Sequence, residues 1–343
     1  MVRDASPALL SVIVLNYNGR RWLRGCLDAL AAQQGAPPFE VVLVDNASTD
    51  GSADAVRAWE GDHAGRTARA FEVLRLVEAG ANLGFAGGNN LGVRAARGGL
   101  LAFLNNDTEP EPAWLASLHQ ALVSRPAFAL ATSRLVFLDD PSVVDSAGDG
   151  YLRAGGAFKH GYGGPADEAL ASREVFGACG GAFLIRRSIY EALGGFDERF
   201  FMVYEDVDLS YRARLMGQRC WYAADAVVRH AGSATLGVAS PAAVFHGQRN
   251  LEWTWIKNTP LPLLVRTALS HAVYSAAGVA HYARRGRLMP ALNGKLAALR
   301  ELPAVLADRR AVQRTSVVTS AALQSMMERG WLTRKRREKA ARR

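Results

Sequence analysis

Cysteine is nearly absent from this chain, with Cys26, Cys179 and Cys220 the only three in 343 residues. They are far apart, odd in number and free of any C-x-x-C spacing. That excludes a disulfide framework and a structural zinc site, and it fits a reducing compartment. No G-x-G-x-x-G fingerprint follows the first apolar run, where a dinucleotide oxidoreductase needs one. The same place lacks the glycine-rich, basic phosphate loop of a sugar-nucleotide pyrophosphorylase, because Tyr17-Asn18-Gly19 leads directly into Arg20-Arg21. The apolar run 9–15 is broken at once by Asn16, so it reads as a strand and not as the core of a signal peptide. A strongly apolar stretch at 261–283 carries Arg266, His271 and His281, which do not sit unpaired in hydrocarbon, so it reads as an amphipathic helix and not a span. Charge of one sign is scarce as well. The formal net charge is +9, but 329–343 holds eight Lys/Arg against Glu338 alone, leaving +2 for the remainder. A near-neutral body has no basic groove, so no nucleic-acid partner is expected. The tail fits an anionic surface such as lipid headgroups; the plainer alternative is a solvated tail.

What is present is an alternation of short strands and helices. Residues 11–15 and 41–44 are β-branched apolar runs ending in Asn, Asp and Gly, as buried parallel strands ending in functional loops do. Strands follow at 73–77 and 100–104, with helices at 22–32, 52–59 and 89–97 between them. This is a Rossmann-like α/β pattern, which places ligands at the carboxyl ends of the strands. The Gly- and Ser-rich stretch 141–165 reads as a functional loop or lid. Helices at 187–193 and 205–217 and a strand at 220–228 complete the core, and the character changes beyond Pro241.

Four segments carry chemistry. Tyr17-Asn18 follows strand one. Asp45, at the end of strand two, either accepts hydrogen bonds from a nucleobase or ribose or merely caps the turn before a helix. Asp107, in Leu104-Asn105-Asn106-Asp107-Thr108, is a hard oxygen ligand suited to Mg2+ or Mn2+, though one carboxylate needs a further ligand. In 194–212, Glu205, Asp206 and Asp208 crowd a helix start. Asp208 and Arg212, four apart, form a structural pair. Glu205 and Asp206 remain for general-base work beside Phe200, Phe201 and Tyr204.

Taken in order as SVIVLNYNG, VDNASTDGS, NLGFAGGNNLGV, LNNDT, GACGGAFLIRR and GGFDERFFMVYEDVDLSYR, these segments resemble glycosyltransferase family 2, the inverting GT-A class, and its bacterial rhamnosyltransferase-like members. The resemblance covers about two thirds of the chain. It implies a GT-A catalytic domain over 1–240; beyond it the sequence itself reads as a helical, amphipathic membrane-surface or oligomerisation region over 241–328 and a basic tail over 329–343. It also implies Tyr17 and Asp45 at the nucleotide base, and Asn90 and the glycines of 84–92 beside the donor. Asp107 falls on the last Asp of the family's Asp-x-Asp metal motif, Asp206 on the catalytic base, and His230 on a further metal ligand used by some members. The first position of the metal motif is Asn105 here, so His230 matters more. The expected reaction moves a sugar from a nucleotide-diphosphate donor, dTDP-rhamnose first and a UDP-hexose second, to a hydroxyl of a glycan or lipid-linked glycan in cell-envelope polysaccharide synthesis. The rival is a catalytically weak glycosyltransferase-like binding module, which predicts loss of Asp107 or Asp206; both are present. The expected location is cytoplasmic, peripheral on the membrane's cytoplasmic face, with homo-oligomerisation open.

Overall fold

The structure, a computed structural model, describes residues 10–63, 71, 73–232 and 240–333. Leu9 and most of the basic tail, 334–343, lie outside the described residues. The first half builds β1 (Leu10–Asn16), α1 (Arg20–Ala31), β2 (Phe39–Asp45), α2 (Ser52–Asp62), β3 (Leu74–Glu78), α3 (Gly84–Ala95) and β4 (Leu100–Asn105). Next come β5 (Thr108–Pro110), α4 (Trp114–Val123) and β6 (Phe128–Phe137). The stretch expected to be irregular contains three short strands, β7 (Val144–Ser146), β8 (Asp149–Tyr151) and β9 (Ala157–Lys159). After β10 (Arg173–Val175), β11 (Ala182–Arg186), α5 (Arg187–Ala192), α6 (Glu205–Leu215) and β12 (Arg219–His230), the chain is helical. Those helices are α7 (Pro241–Asn258), α8 (Leu261–Ala283), α9 (Leu288–Arg300), α10 (Leu302–Arg314) and α11 (Ser320–Ser325).

The main sheet runs β10-β12-β6-β11-β4-β1-β2-β3, with β5 on β12 and β7 on β6. β3, β2, β1 and β4 are parallel neighbours. β11 is antiparallel to both β4 and β6, and β12 is parallel to β6. The carboxyl ends of β1, β2, β4, β6 and β12 therefore share one edge, and β11 starts there. Both faces are covered, which is why β2 is buried throughout and reads as continuous apolar sequence. Alternation along β1 splits the core, with Val12 and Val14 on one side with α1 and α4 and Ile13 on the other. On that second side α3 lies close to β1. A Cβ at position 92 would come 2.5 Å from Cγ2 of Ile13, so glycine is what lets the backbones approach.

The C-terminal helices are tied to the catalytic half. Ser240 caps α7, its hydroxyl accepting from the Ala243 N–H at 3.2 Å. At its far end Asn258 donates to Asp208 at 2.8 Å and Lys257 pairs with Asp208 at 2.7 Å and Asp197 at 2.9 Å. Arg212 closes on Asp208 at 2.7 Å, the i, i+4 pair its spacing predicts. In α8 the inward residues include Leu263, Thr267 and His271, while Val265, Leu269, Ala272 and Ala276 are exposed. The apolar face that helical periodicity predicts, Val265, Leu269, Ala272, Ala276 and Val279, thus points away from the protein except at Val279, which is half-buried.

Gly92→Ala is expected to cost roughly 1–3 kcal/mol through overpacking against Ile13. Denaturant unfolding of the variant checks this, and an unchanged midpoint contradicts the close α3–β1 contact.

Candidate active site

At the shared strand edge lies a cavity of about 870 Å3. Among its lining residues are Tyr17, Asp107, Glu205, Asp206 and His230, five of the residues singled out in the sequence. Asp45 and Asn90 do not line it. Asp45 accepts from the Asn16 side chain at 3.1 Å and the Ser48 N–H at 3.1 Å, so its carboxylate ties the loop after β2 to the end of β1. Its neighbour Asn46 lines the cavity instead. Asn90 donates to the Phe196 carbonyl at 2.9 Å and to Glu198 at 3.0 Å, and accepts from the Tyr190 hydroxyl and the Phe196 N–H. Its amide is spent clamping α3 to the segment before α6.

Asp107 sits just past β4. Because Thr108 pairs with His230 in the β5–β12 register, Asp107 is held beside the imidazole, Oδ1 to Nε2 at 3.3 Å. On the other ring nitrogen, Nδ1 meets Asp145 at 2.8 Å, and Lys159 bonds both Asp145 oxygens at 2.9 Å. Burial opposes the charged imidazolium, but hydrogen bonds and charge from Asp107 and Asp145 outweigh it and lift His230 to about 9. Carboxylate, imidazole and carboxylate in series is the arrangement in which an outer carboxylate orients a metal-ligating histidine. Two ligand atoms of one octahedral ion with bonds near 2.1 Å stand about 3 Å apart. The spacing of Asp107 and His230 therefore fits a divalent cation.

Asp206 stands at the start of α6. Its Oδ2 accepts from the Gly180 N–H at 2.7 Å and Oδ1 from the Val207 N–H at 2.7 Å. Glycine is required opposite, since a Cβ at position 180 would lie 2.9 Å from Oδ2. Burial raises the Asp206 carboxyl above its usual range, while these N–H groups work against the rise. Carboxylate atoms of Asp149 and Asp206 and the Cys179 sulfur lie within 4.8 Å of one another. Asp149 Oδ1 is buried with no hydrogen-bond partner. Burial, then the Asp206 charge, push Asp149 well up, and its Oδ1 lacks the main-chain donors that favour the charged form of Asp206. Glu205, also buried with an unpartnered Oε2, is pushed well up by burial and by Asp206. Of the two candidate bases, Asp206 is the one with main-chain donors on both oxygens.

The turn that aims Asp206 is strained. Phe201, Val203 and Tyr204 all have positive φ, at 62°, 66° and 77°. For the β-branched Val203 that is a costly conformation, on the order of 1–3 kcal/mol. Asn250 of α7, fully buried, holds the turn by donating to the carbonyls of Phe200 at 2.9 Å, Met202 at 2.9 Å and Val203 at 2.7 Å. Asn250, Asp145, Asp149 and Lys159 were all missed in the sequence. The signal available for the last three was a cluster of two aspartates and a lysine inside an otherwise small, weakly polar segment.

The sequence model of glycosyl transferase family 2 matches residues 11–194. The chain belongs to this glycosyltransferase family. The O-antigen biosynthesis protein RfbC of Myxococcus xanthus is 32% identical over 241 residues, 66% of this chain and 17% of that protein. The N-acetylglucosaminyl-diphospho-decaprenol L-rhamnosyltransferase of Mycobacterium tuberculosis is 31% identical over 248 residues, 65% of this chain and 76% of that enzyme. Among solved structures, the Pyrobaculum calidifontis mannosyltransferase PcManGT, in complex with GDP-Man and Mn2+, aligns with a TM-score of 0.54 at 22% identity. That alignment covers 93% of this chain and 90% of PcManGT. TarS 1-349 of S. aureus aligns with a TM-score of 0.54 at 17% identity over 89% and 87% of the two chains. The glycosyltransferase therefore has the GT-A fold, a mixed α/β sheet followed by C-terminal helices.

Two outcomes are expected from this geometry. Asn250→Ala strands three carbonyls of the strained turn and lowers both stability, by about 1–3 kcal/mol, and turnover. Unchanged turnover in a variant of lower melting temperature contradicts the clamp. Asp149→Asn puts a neutral amide where a neutral acid stood, so activity at neutral pH stays within about tenfold of wild type. The base must be ionised, and burial raises it, so the wild-type acid limb lies above the ordinary aspartate value of about 3.9. A pH–rate profile measures both; a loss at neutral pH as large as removal of the base itself contradicts the assignment of the proton to Asp149.

Proposed function

We propose that this glycosyltransferase moves a sugar, with inversion, from a nucleotide-diphosphate donor to a hydroxyl of a glycan or lipid-linked glycan acceptor in cell-envelope polysaccharide synthesis. The observation that carries the reading is one cavity holding both a base, Asp206, and a phosphate-side pair, Asp107 and His230. Tyr17 and Asn46 border the donor end. In the reaction Asp206 takes the proton from the acceptor hydroxyl as that oxygen forms the new bond to the anomeric carbon. The bond to the nucleotide diphosphate breaks on the opposite face, so the anomeric centre inverts. Asp107 and His230 would hold a divalent cation, Mg2+ or Mn2+, which when bound offsets charge on the diphosphate. Asp145 fixes the imidazole so that Nε2 faces the ligand site.

dTDP-rhamnose is the first donor proposed and a UDP-hexose the second. Support for the first is the mycobacterial relative named as a rhamnosyltransferase acting on a decaprenol-linked sugar. Support for a divalent cation is the Mn2+ bound with GDP-Man in PcManGT. The apolar part of the cavity wall, including Leu251, Tyr274 and Tyr282, suits an acceptor that is not fully polar.

A panel of nucleotide sugars, assayed for binding by thermal shift and for hydrolysis with Mg2+ and Mn2+, tests the donor assignment. dTDP-rhamnose is expected to shift the melting temperature most, and a stronger response to a UDP-hexose reverses the order. Activity is expected to vanish in excess EDTA and return with either metal. Asp145→Asn is expected to raise the metal concentration needed by roughly 10–100-fold. Full activity in EDTA contradicts the cation, and an unchanged metal requirement contradicts the role of Asp145.

A further inference from the structure

Among the described residues, ten of the fifteen large hydrophobic side chains left exposed lie between Leu261 and Leu306. On α8 they are Leu261, Val265, Leu269 and Val273, one every four residues, with Leu269 79% and Val265 67% exposed. On α9 they are Leu288, Met289, Leu292, Leu296 and Leu299, the last four again at helical spacing. Scattered exposed leucines need no explanation, but two successive helices that pack on each other and both expose an apolar stripe mark an interaction surface.

The charge of the same stretch selects the partner. Residues 261–300 contain six Lys/Arg and no Asp or Glu. Lys295 is turned inward to Glu252. The five arginines, at 266, 284, 285, 287 and 300, leave the stretch strongly cationic. Leucine stripes beside arginines, with no acid interleaved, complement the acyl–headgroup boundary of an anionic bilayer, which offers hydrocarbon and phosphate together. No helix among the described residues is long and apolar enough to cross a membrane, so the contact is one of lying on the surface.

We infer that the outward faces of α8 and α9 form the surface by which this glycosyltransferase lies on an anionic phospholipid membrane. α8 then separates bilayer from cavity, for on its other side Tyr274, Gly278 and Tyr282 line the active-site wall. A lipid-carried acceptor reaches the site past one helix while its chain stays in the bilayer. That consequence rests on the acceptor class proposed above; the membrane contact itself does not.

Flotation of the full chain with phosphatidylcholine vesicles, with and without phosphatidylglycerol, tests the inference. Wild type is expected to float with the anionic vesicles at low salt and to be released as salt rises. Leu269→Asp with Leu296→Asp, both exposed and away from the cavity lining, is expected to lower vesicle affinity at least about tenfold with an unchanged melting temperature and unchanged donor hydrolysis. Arg285→Glu with Arg300→Glu is expected to abolish the preference for phosphatidylglycerol. A protein ending at Thr333 keeps the Leu269- and Leu296-dependent binding, since Trp331 at the cavity is retained. Wild type remaining in the soluble fraction at low salt overturns the inference, as does a double aspartate variant that floats like wild type. A wild-type dimer in light scattering that the aspartate variant converts to monomer also overturns it, because a second copy then covers the face. No donor or acceptor is present in the flotation, so its outcome is separate from the catalytic reading.

Discussion

Buried negative charge is the constraint around which this molecule is organised. Asp107, Asp145, Asp149, Glu205 and Asp208 are buried in or beside one cavity region, with Asp206 half-buried among them, and an isolated buried carboxylate is too costly to persist. Each is handled differently. Asp208 is neutralised by Arg212 and Lys257, and Asp145 by Lys159 and His230. Those pairs hold both carboxyls below their usual range even though burial pushes the other way. At Asp149 and Glu205, burial together with the Asp206 charge pushes both carboxyls well up. Asp107 shares His230 with Asp145, and Asp206, held by main-chain N–H groups, is the group proposed to accept the proton. The division of labour follows from which carboxylates were given cations and which were given dipoles.

The same constraint explains why the C-terminal helices are more than an appendage. α7 supplies Lys257 and Asn258 to Asp208, and Asn250 to the strained turn that sets the direction of α6. The sequence boundary at 240 coincides with the start of α7, but the side chains of α7 complete the active-site frame. Farther along, Glu252 gathers His271, Ser275 and Lys295, binding α8 and α9 to α7 through a half-buried carboxylate. The apolar residues of α8 and α9 are thereby free to face outward.

Much of this was legible in the sequence where burial on both faces leaves a continuous apolar run. β3 lies at the sheet edge and the helices between the strands show an apolar periodicity, while β1, β2 and β4 are of that kind. β6 is not, because Thr132, Ser133 and Arg134 interrupt it; Ser133 is nevertheless fully buried, accepting from the Trp114 indole at 2.8 Å. Asp107, Asp206 and His230, singled out in the sequence by their motifs, all line the cavity. Asp145, Asp149 and Lys159 were not legible, because their relation to His230 and Asp206 is made across strands and has no sequence period. Asp45 and Asn90 show another side of this, for their hydrogen bonds tie a loop and a helix to neighbouring elements. A polar residue after a strand or on a helix looks the same in sequence whether it faces a ligand or ties a loop, and only the hydrogen bonds distinguish the two.

The account depends most directly on Asp206 being the ionised base while its neighbours are structural or protonated. The decisive measurement is turnover at saturating donor and acceptor for Asp206→Asn beside Asp208→Asn, with donor affinity and melting temperature determined for each. Asp206→Asn is predicted to keep its fold and donor affinity while transfer falls roughly 10²–10⁴-fold. Asp208→Asn is predicted to lose stability first, because it unpairs Arg212 and Lys257. A folded Asp208→Asn protein with far lower turnover than Asp206→Asn would contradict the assignment.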